Sequence, residues 1–232
     1  MSFEKEFSRN AQNYEKYNII QKEVAKKLLD LVKKETPKSM LDLGCGSGEI
    51  YKLIDWDVEK FVAVDISEEM CKIHPKDDIV KVICQNYEDN ELFLSKLKVE
   101  RFDAIISSSS LQWCRDLDSL LKRLTKLSDR VYFSIFCDKT FDAIYKITKL
   151  ENFLPNYKNI TETVSKYYKV EYKREFYKLY FEDNISKFRY IKKSGVSGGK
   201  RQLSYQETKR LIDEYPLDFL EFEVLYVAGV KV

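Results

Sequence analysis

The sequence predicts an α/β fold: a seven-stranded, mostly parallel sheet with helices on both faces and helical additions at one end. Two observations carry it. Seven short apolar or β-branched runs alternate with charged segments of helical period, the pattern of strands joined by crossover helices. The first of those runs also leads through a glycine-rich turn directly into a helix.

The elements follow in order. Residues 1–36 read as helix, because Ile20, Val24, Leu28 and Leu31 recur at helical spacing and Lys and Glu fill the opposite face. Pro37 closes that segment. Strands are then expected at Met40–Leu43, Phe61–Val64, Ile79–Ile83, Phe102–Ser107 and Val131–Phe136. Before the fifth, Leu117, Leu120, Leu121, Leu124 and Leu127 mark an amphipathic helix. Residues 140–168 look helical with a break at Pro155. The aromatic run Tyr168–Phe181 is a sixth strand, and Phe219–Val230 a seventh. Helices at Ile185–Lys193 and Tyr205–Tyr215 flank a loop holding Gly195, Gly198 and Gly199. No repeat or linker interrupts this order. The chain reads as one domain over 1–232: a helical cap at 1–36, a cofactor-binding half at 37–137, and a substrate-side half at 138–232 with a helical insertion at about 183–216.

Composition narrows the class. The 232 residues are 44% hydrophobic and 34% charged, enough for a core and a well-solvated surface. The formal net charge of +2 gives no general argument for a nucleic-acid partner. Cys45, Cys71, Cys84, Cys114 and Cys137 are scattered singly, which fits a reduced compartment rather than a disulfide framework. Without a long apolar run or a signal-peptide pattern, the expectation is a cytoplasmic protein with no membrane partner.

Leu41-Asp42-Leu43-Gly44-Cys45-Gly46-Ser47-Gly48 is the most informative stretch. Glycines between a strand and a helix expose backbone N–H groups and let a ligand approach closely. Asp65, at the end of the second strand, can accept both hydroxyls of a ribose. A dinucleotide fingerprint requires a third glycine at 49, where Glu49 stands. Asp42 beside the loop would repel a pyrophosphate but suits a cationic sulfonium ligand with an amino group. Electrostatics therefore favour S-adenosylmethionine over NAD.

Asp42-Leu43-Gly44-Cys45-Gly46-Ser47-Gly48 resembles the first motif of the Rossmann-like class I methyltransferases. The resemblance implies a sheet whose last strand is antiparallel. It also implies that Gly44 and Gly46 sit under the methionine part, that Asp65 holds the ribose and that Asn86, with Tyr87 beside it, meets the adenine, with Asp42, Cys45, Ile66 and Ser107 as further cofactor-binding residues. Asn86 replaces the acid usual at its position; its amide oxygen accepts the same hydrogen bond more weakly.

Three further segments resemble the malonyl-acyl-carrier-protein O-methyltransferases of biotin synthesis: Phe7-Ser8-Arg9-Asn10-Ala11-Gln12-Asn13-Tyr14 followed by Tyr17 and Gln21; Phe102–Ser107 leading into Leu111-Gln112-Trp113-Cys114; and Leu220–Tyr226. The Leu-Gln-Trp run is similar to that of enzymes acting on small acids such as aconitate. Ser108 stands where the family usually has Asn, and Leu127-Ser128-Asp129 where it has Pro-Gly-Gly. The resemblance implies transfer of a methyl group from S-adenosylmethionine to the free carboxylate of malonyl-acyl carrier protein, leaving S-adenosylhomocysteine. A methyltransferase for a small free acid, and a non-catalytic cofactor-binding partner protein, are the alternatives.

In that family a tyrosine of the N-terminal region closes over the cofactor, which makes Tyr14 the catalytic candidate and Tyr17 a substrate-side neighbour. Packing on an amphipathic helix accounts for both equally well. Gln112 and Trp113 are candidates for the pocket floor, or for plain core. Lys187, Arg189, Lys192, Lys193, Lys200 and Arg201 lie in a stretch, Asn184 to Leu203, without a single Asp or Glu. Such a basic face would hold an acidic carrier protein; a merely solvated helix face is the other reading, and an RNA surface a third. No metal-ligand cluster or Ser-His-Asp set is visible, and His74, beside Pro75, is expected at the surface. A carboxylate with a pKa near ~4 is already ionised at neutral pH and needs no general base.

Overall fold

The computed structural model describes residues 17–89, 93, 95, 97, 100–194 and 203–232. The chain runs α1 (Ile19–Val32), β1 (Ser39–Leu43), α2 (Glu49–Leu53), β2 (Lys60–Asp65), α3 (Glu68–Ile73) and β3 (Val80–Cys84). It continues through β4 (Ala104–Ser108), a 3-10 turn (Leu111–Trp113), α4 (Leu117–Leu124) and β5 (Arg130–Phe136). The second half adds α5 (Asp142–Thr148), α6 (Tyr157–Ser165), β6 (Tyr168–Tyr180), α7 (Asn184–Ser194), α8 (Tyr205–Glu214) and β7 (Phe219–Lys231).

The seven strands form one sheet in the order β3-β2-β1-β4-β5-β7-β6. β1 to β5 are parallel; β7 enters antiparallel between β5 and β6. Each expected strand is present, with ends shifted by a residue or two. β4 starts at Ala104 because the Asp103 carboxylate accepts the N–H groups of Lys38 and Ser39 at 2.9 and 2.8 Å, which anchors the entry to β1 instead of extending β4.

Two apolar layers cover the sheet. One holds α1 residues Ile20, Val24, Leu28 and Val32 against Met40, Ala104 and Tyr132; the other holds Leu120, Leu121 and Leu124 against Leu41, Ile105 and Val131. The α1 stripe differs from its expected membership, because Leu29 and Val32 are buried whereas Leu31 is only half-buried. That helix also stops short of residue 36. Glu35 and Thr36 donate to the Val32 and Lys33 carbonyls in a turn, and Thr36 takes φ 42°.

The strand order reverses between β1 and β4: from β1 the chain works outward to β3, then returns to the other side of β1. Ligands of open α/β sheets bind in the crevice this reversal opens beyond the carboxyl ends of the strands. β6 runs parallel to β5, so α7, which follows it, starts from that same end. Among the described residues no helix is long and apolar enough to cross a membrane.

Candidate cofactor site

β1 ends at Leu43, and the backbone at once turns left-handed: Gly44 has φ 73°, Gly46 φ 52° and Gly48 φ 83°. Glycine holds such angles at the least cost. Gly44 and Cys45 donate to the Val64 carbonyl at 2.8 and 3.0 Å, fixing the loop to the end of β2. A Cβ on Gly44 would lie 2.0 Å from Ser110 Oγ, so the loop closes tightly on the segment after β4. A Cβ on Gly46 would meet nothing within 4 Å, and that position faces open space.

The pocket over this loop is lined by Asn18 and Gln21 of the N-terminal helix region, Asp42, Gly44 to Ser47, Glu49, Ser108 and Ser109. Asp42 is 1% exposed and neither carboxylate oxygen has a hydrogen-bond partner; Gln21 Oε1, Ser47 Oγ and Ser109 Oγ are likewise buried and unpartnered. Burial, then the charge of Asp65, pushes the Asp42 pKa up to about 8. Four groups able to accept a hydrogen bond and lacking a donor make a cradle for a cation that carries N–H groups. The amino group and sulfonium of S-adenosylmethionine fit that donor demand; a pyrophosphate does not.

Asp65 lies at the other end of the loop. Its Oδ2 accepts from Gly46 N–H at 2.9 Å and its Oδ1 from Ser67 N–H at 2.8 Å. Burial raises its pKa, and those N–H bonds oppose the rise. Each oxygen keeps a lone pair for a ribose hydroxyl. Ile66 is 40% exposed beside it, available to cover a ligand's base.

Asn86 and Tyr87 follow β3. The Asn86 amide oxygen accepts Glu88 N–H at 2.9 Å, which leaves one lone pair for an adenine amino group. The Tyr87 hydroxyl lies 3.2 Å from Ser110 Oγ, tying the β3 and β4 loops together. Glu88 clamps the same junction: its carboxylate accepts Arg115 N–H at 2.7 Å and the Cys114 thiol at 3.6 Å. Ser107 is fully buried, and its hydroxyl donates to the Leu43 carbonyl at 2.7 Å. It braces β4 against β1, and Ser108 and Ser109 present themselves to the pocket in its place. Cys45 is buried in the loop, its thiol pushed well up by burial.

On the substrate side, Trp113 stacks on Phe153 with ring centroids 5.4 Å apart, and Gln112 donates to the Ser109 carbonyl at 2.7 Å. Tyr17 and Lys193 meet: the ammonium donates to the phenol oxygen at 2.9 Å, which links α7 to the start of α1. Lys192 is exposed on α7. Tyr14, Lys200 and Arg201 lie outside the described residues.

Two further expectations are corrected. His74 is buried, 2% exposed, not at the surface: its ring stacks 6.4 Å from Phe61, Nδ1 donates to the Pro75 carbonyl, and it packs on Gly48. Lys187 does not belong to a solvated basic face, being 2% exposed with its ammonium bonded to Asn184 Oδ1 at 2.7 Å and to the Leu217 carbonyl. Both sit where their stems complete an apolar layer and one polar end finds a local carbonyl, a pattern that composition alone cannot reveal. Asn18, Ser47 and Ser109 are further pocket residues; Ser47 stands inside the glycine motif, whereas Asn18 and Ser109 have no motif of their own.

A wider cleft at the opposite ends of the strands, lined by Glu35, Lys38, Arg101, Asp129 and Arg130, has its charges matched: Arg101 pairs with Asp129 at 2.8 Å and Arg130 with Glu35 at 3.3 Å. It lies away from the sheet's switch point. Among the described residues no cluster of three or more His, Cys, Asp or Glu could hold a metal.

Residues 41–129 match the family model described as a methyltransferase domain. The chain is 32% identical over 149 residues to a malonyl-acyl-carrier-protein O-methyltransferase of Acetivibrio thermocellus, an alignment covering 60% of this chain and 50% of that one. A protein of the same name from Calditerrivibrio nitroreducens is 24% identical over 235 residues, 93% of this chain and 84% of that one. The chain thus spans about half the length of the first relative, and 64% and 55% of two others of that name. Among solved structures it resembles magnesium protoporphyrin IX methyltransferase from Synechocystis, determined with bound S-adenosylhomocysteine, with a TM-score of 0.55 at 14% identity over 91% of this chain and 83% of that one.

Proposed function

We propose that this chain, which carries a methyltransferase domain on the class I fold of the S-adenosylmethionine-dependent enzymes, esterifies the free carboxylate of malonyl-acyl carrier protein. The methyl ester would mask a charge, so that a dicarboxyl chain passes as an ordinary acyl chain, the step that opens biotin synthesis. Relatives of that name, matched over 60% and 93% of this chain, support the acceptor. The observation that carries the reading is the chemistry of the pocket: buried acceptors at one end, and no histidine in its lining.

S-adenosylmethionine, when bound, supplies an electrophilic methyl carbon on a sulfonium. Asp42 and Gln21 face its cationic amino-acid end, and Asp65 its ribose. The acceptor carboxylate is ionised already, so the chain has no proton to move. Its task is alignment of oxygen and carbon, where orientation can supply roughly 7–11 kcal/mol, and exclusion of water. The stacked Trp113–Phe153 pair is assigned to excluding water. The Tyr14 hydroxyl is assigned to orienting the carboxylate.

Turnover with malonyl-carrier protein, free malonate and aconitate, each followed as product ester, tests the proposal. Ester on the carrier-bound substrate alone is the expected result. Faster reaction of a free acid would replace it with a small-acid methyltransferase, and cofactor binding without any ester would leave a non-catalytic binding protein.

A further inference from the structure

Two cysteines from different elements hold one turn at the rim of the cofactor site. Cys71, on α3, donates its thiol to the Asp65 carbonyl at 3.6 Å; Cys84, the last residue of β3, donates to the Ile66 carbonyl at 3.9 Å. The β2–β3 register sets Cys84 directly opposite Asp65. The Asp65 and Ile66 carbonyls are consecutive, so the two thiols converge on a single peptide turn. Cys84 is exposed and Cys71 half-buried, whereas Cys45 and Cys137 are buried. Methyl transfer uses neither thiol of the pair.

We propose that Cys71 and Cys84 are a dithiol modification site, closed to a disulfide by oxidants of the glutathione-disulfide class, and that closure loosens the cofactor site. The Cys84 thiolate attacks one sulfur of glutathione disulfide, forming a mixed disulfide and expelling one glutathione. The Cys71 thiolate then attacks the Cys84 sulfur, forming the Cys71–Cys84 bond and expelling the second glutathione. Two protein thiols are oxidised, one glutathione disulfide is reduced to two thiols, and the two cysteine protons end on the departing glutathiones.

The order of events follows from access and charge. A bulky oxidant reaches exposed Cys84 first. Cys71 resists ionisation because of burial first, then because of the charges on Cys84 and Asp65. With Cys84 capped, Cys71 is the thiol left on the turn to resolve the mixed disulfide. Once the bond forms, neither sulfur can donate. The Asp65 and Ile66 carbonyls lose both thiol donors on the turn that aims the Asp65 carboxylate at the ribose.

The test treats the full chain with glutathione disulfide, maps the linked peptides by mass spectrometry, and titrates S-adenosylmethionine before and after. Expected are a Cys71–Cys84 peptide, an intact mass lower by two hydrogens, and cofactor affinity weaker by about tenfold, the scale of one charge-assisted bond. Dithiothreitol should restore the affinity. Cys71→Ser should trap glutathione on Cys84, and the affinity of Cys84→Ser should be indifferent to oxidant. A mixed disulfide that persists on Cys84 of the native chain would overturn the site, and a Cys71–Cys84 bond with unchanged affinity would overturn its effect. Because binding is the readout, neither result depends on which acid is methylated.

Discussion

Asp65 uses one lone pair of each oxygen on the Gly46 and Ser67 N–H groups, which leaves one pair on each for a ligand. Asp65→Ala should therefore weaken S-adenosylmethionine by roughly 1.5–3 kcal/mol, measured by calorimetric titration. Unchanged affinity would remove Asp65 from the site. Asp42 behaves differently, because it has no donor at all. With its pKa pushed up to about 8, the ligand-free chain holds that proton at pH 7. A cation entering the cradle favours the carboxylate, so cofactor binding at pH 7 should release up to about one proton and progressively less above pH 8. Calorimetry in two buffers of different ionisation enthalpy reads this directly; a heat independent of buffer would contradict it. Both acids were legible in the sequence, since an acid beside a glycine loop and another at the next strand end form a motif. Gln21 was legible only as part of a resemblance, and Ser109 not at all: its place depends on the left-handed φ of 56° after β4.

At the scale of elements, the turn from β1 into α2 rests on the residues that follow α3. A Cβ on Gly48 would lie 2.5 Å from Pro75 Cδ and 2.9 Å from His74 Cδ2, at a φ of 83°. Gly48→Ala should cost about 1–2 kcal/mol in backbone strain alone, lowering Tm by roughly 2–8 °C in a thermal melt. The same contact couples the loop to pH. Burial lowers the His74 pKa below the ordinary imidazole value of 6.5, with the Pro75 carbonyl opposing. The unfolded chain thus binds this proton more readily than the folded one. The stability it contributes is present above about pH 6.5 and is lost as pH falls through the lower folded value. His74→Phe should flatten the acid limb of a stability–pH curve; an unchanged limb would assign the loss to other groups. Strand positions were readable from their apolar runs, whereas the burial of His74 was not, because an imidazole beside a proline looks the same in sequence whether it packs or not.

Across the whole molecule, α7 joins the site end of β6 to the start of α1, beside the pocket residue Asn18, through the Lys193–Tyr17 contact. Ile185, Arg189 and Lys192 fall on one exposed face of that helix, at helical spacing. An acidic carrier would meet this ridge, not the buried Lys187. Reversing charge with Arg189→Glu and Lys192→Glu should raise KM for a carrier-bound substrate by about tenfold or more at similar kcat, since repulsion acts on docking. A malonyl-pantetheine substrate should be indifferent to the change. Equal losses on both substrates would point to damage of α7 itself. The parallel strands were legible because alternation and glycine chemistry agree over 37–137, whereas the antiparallel last strand was legible only through the resemblance and the strand order not at all. The face of α7 was not, since a run of lysines does not say which of them turns inward.

The cofactor cradle is the centre of the account, and titration of the native chain with S-adenosylmethionine and, separately, with NAD tests it most directly. The expected result is saturable binding of one S-adenosylmethionine per chain, weakened in Asp42→Asn, with no saturable heat from NAD. Saturable binding of NAD, or the absence of any S-adenosylmethionine binding, would contradict it.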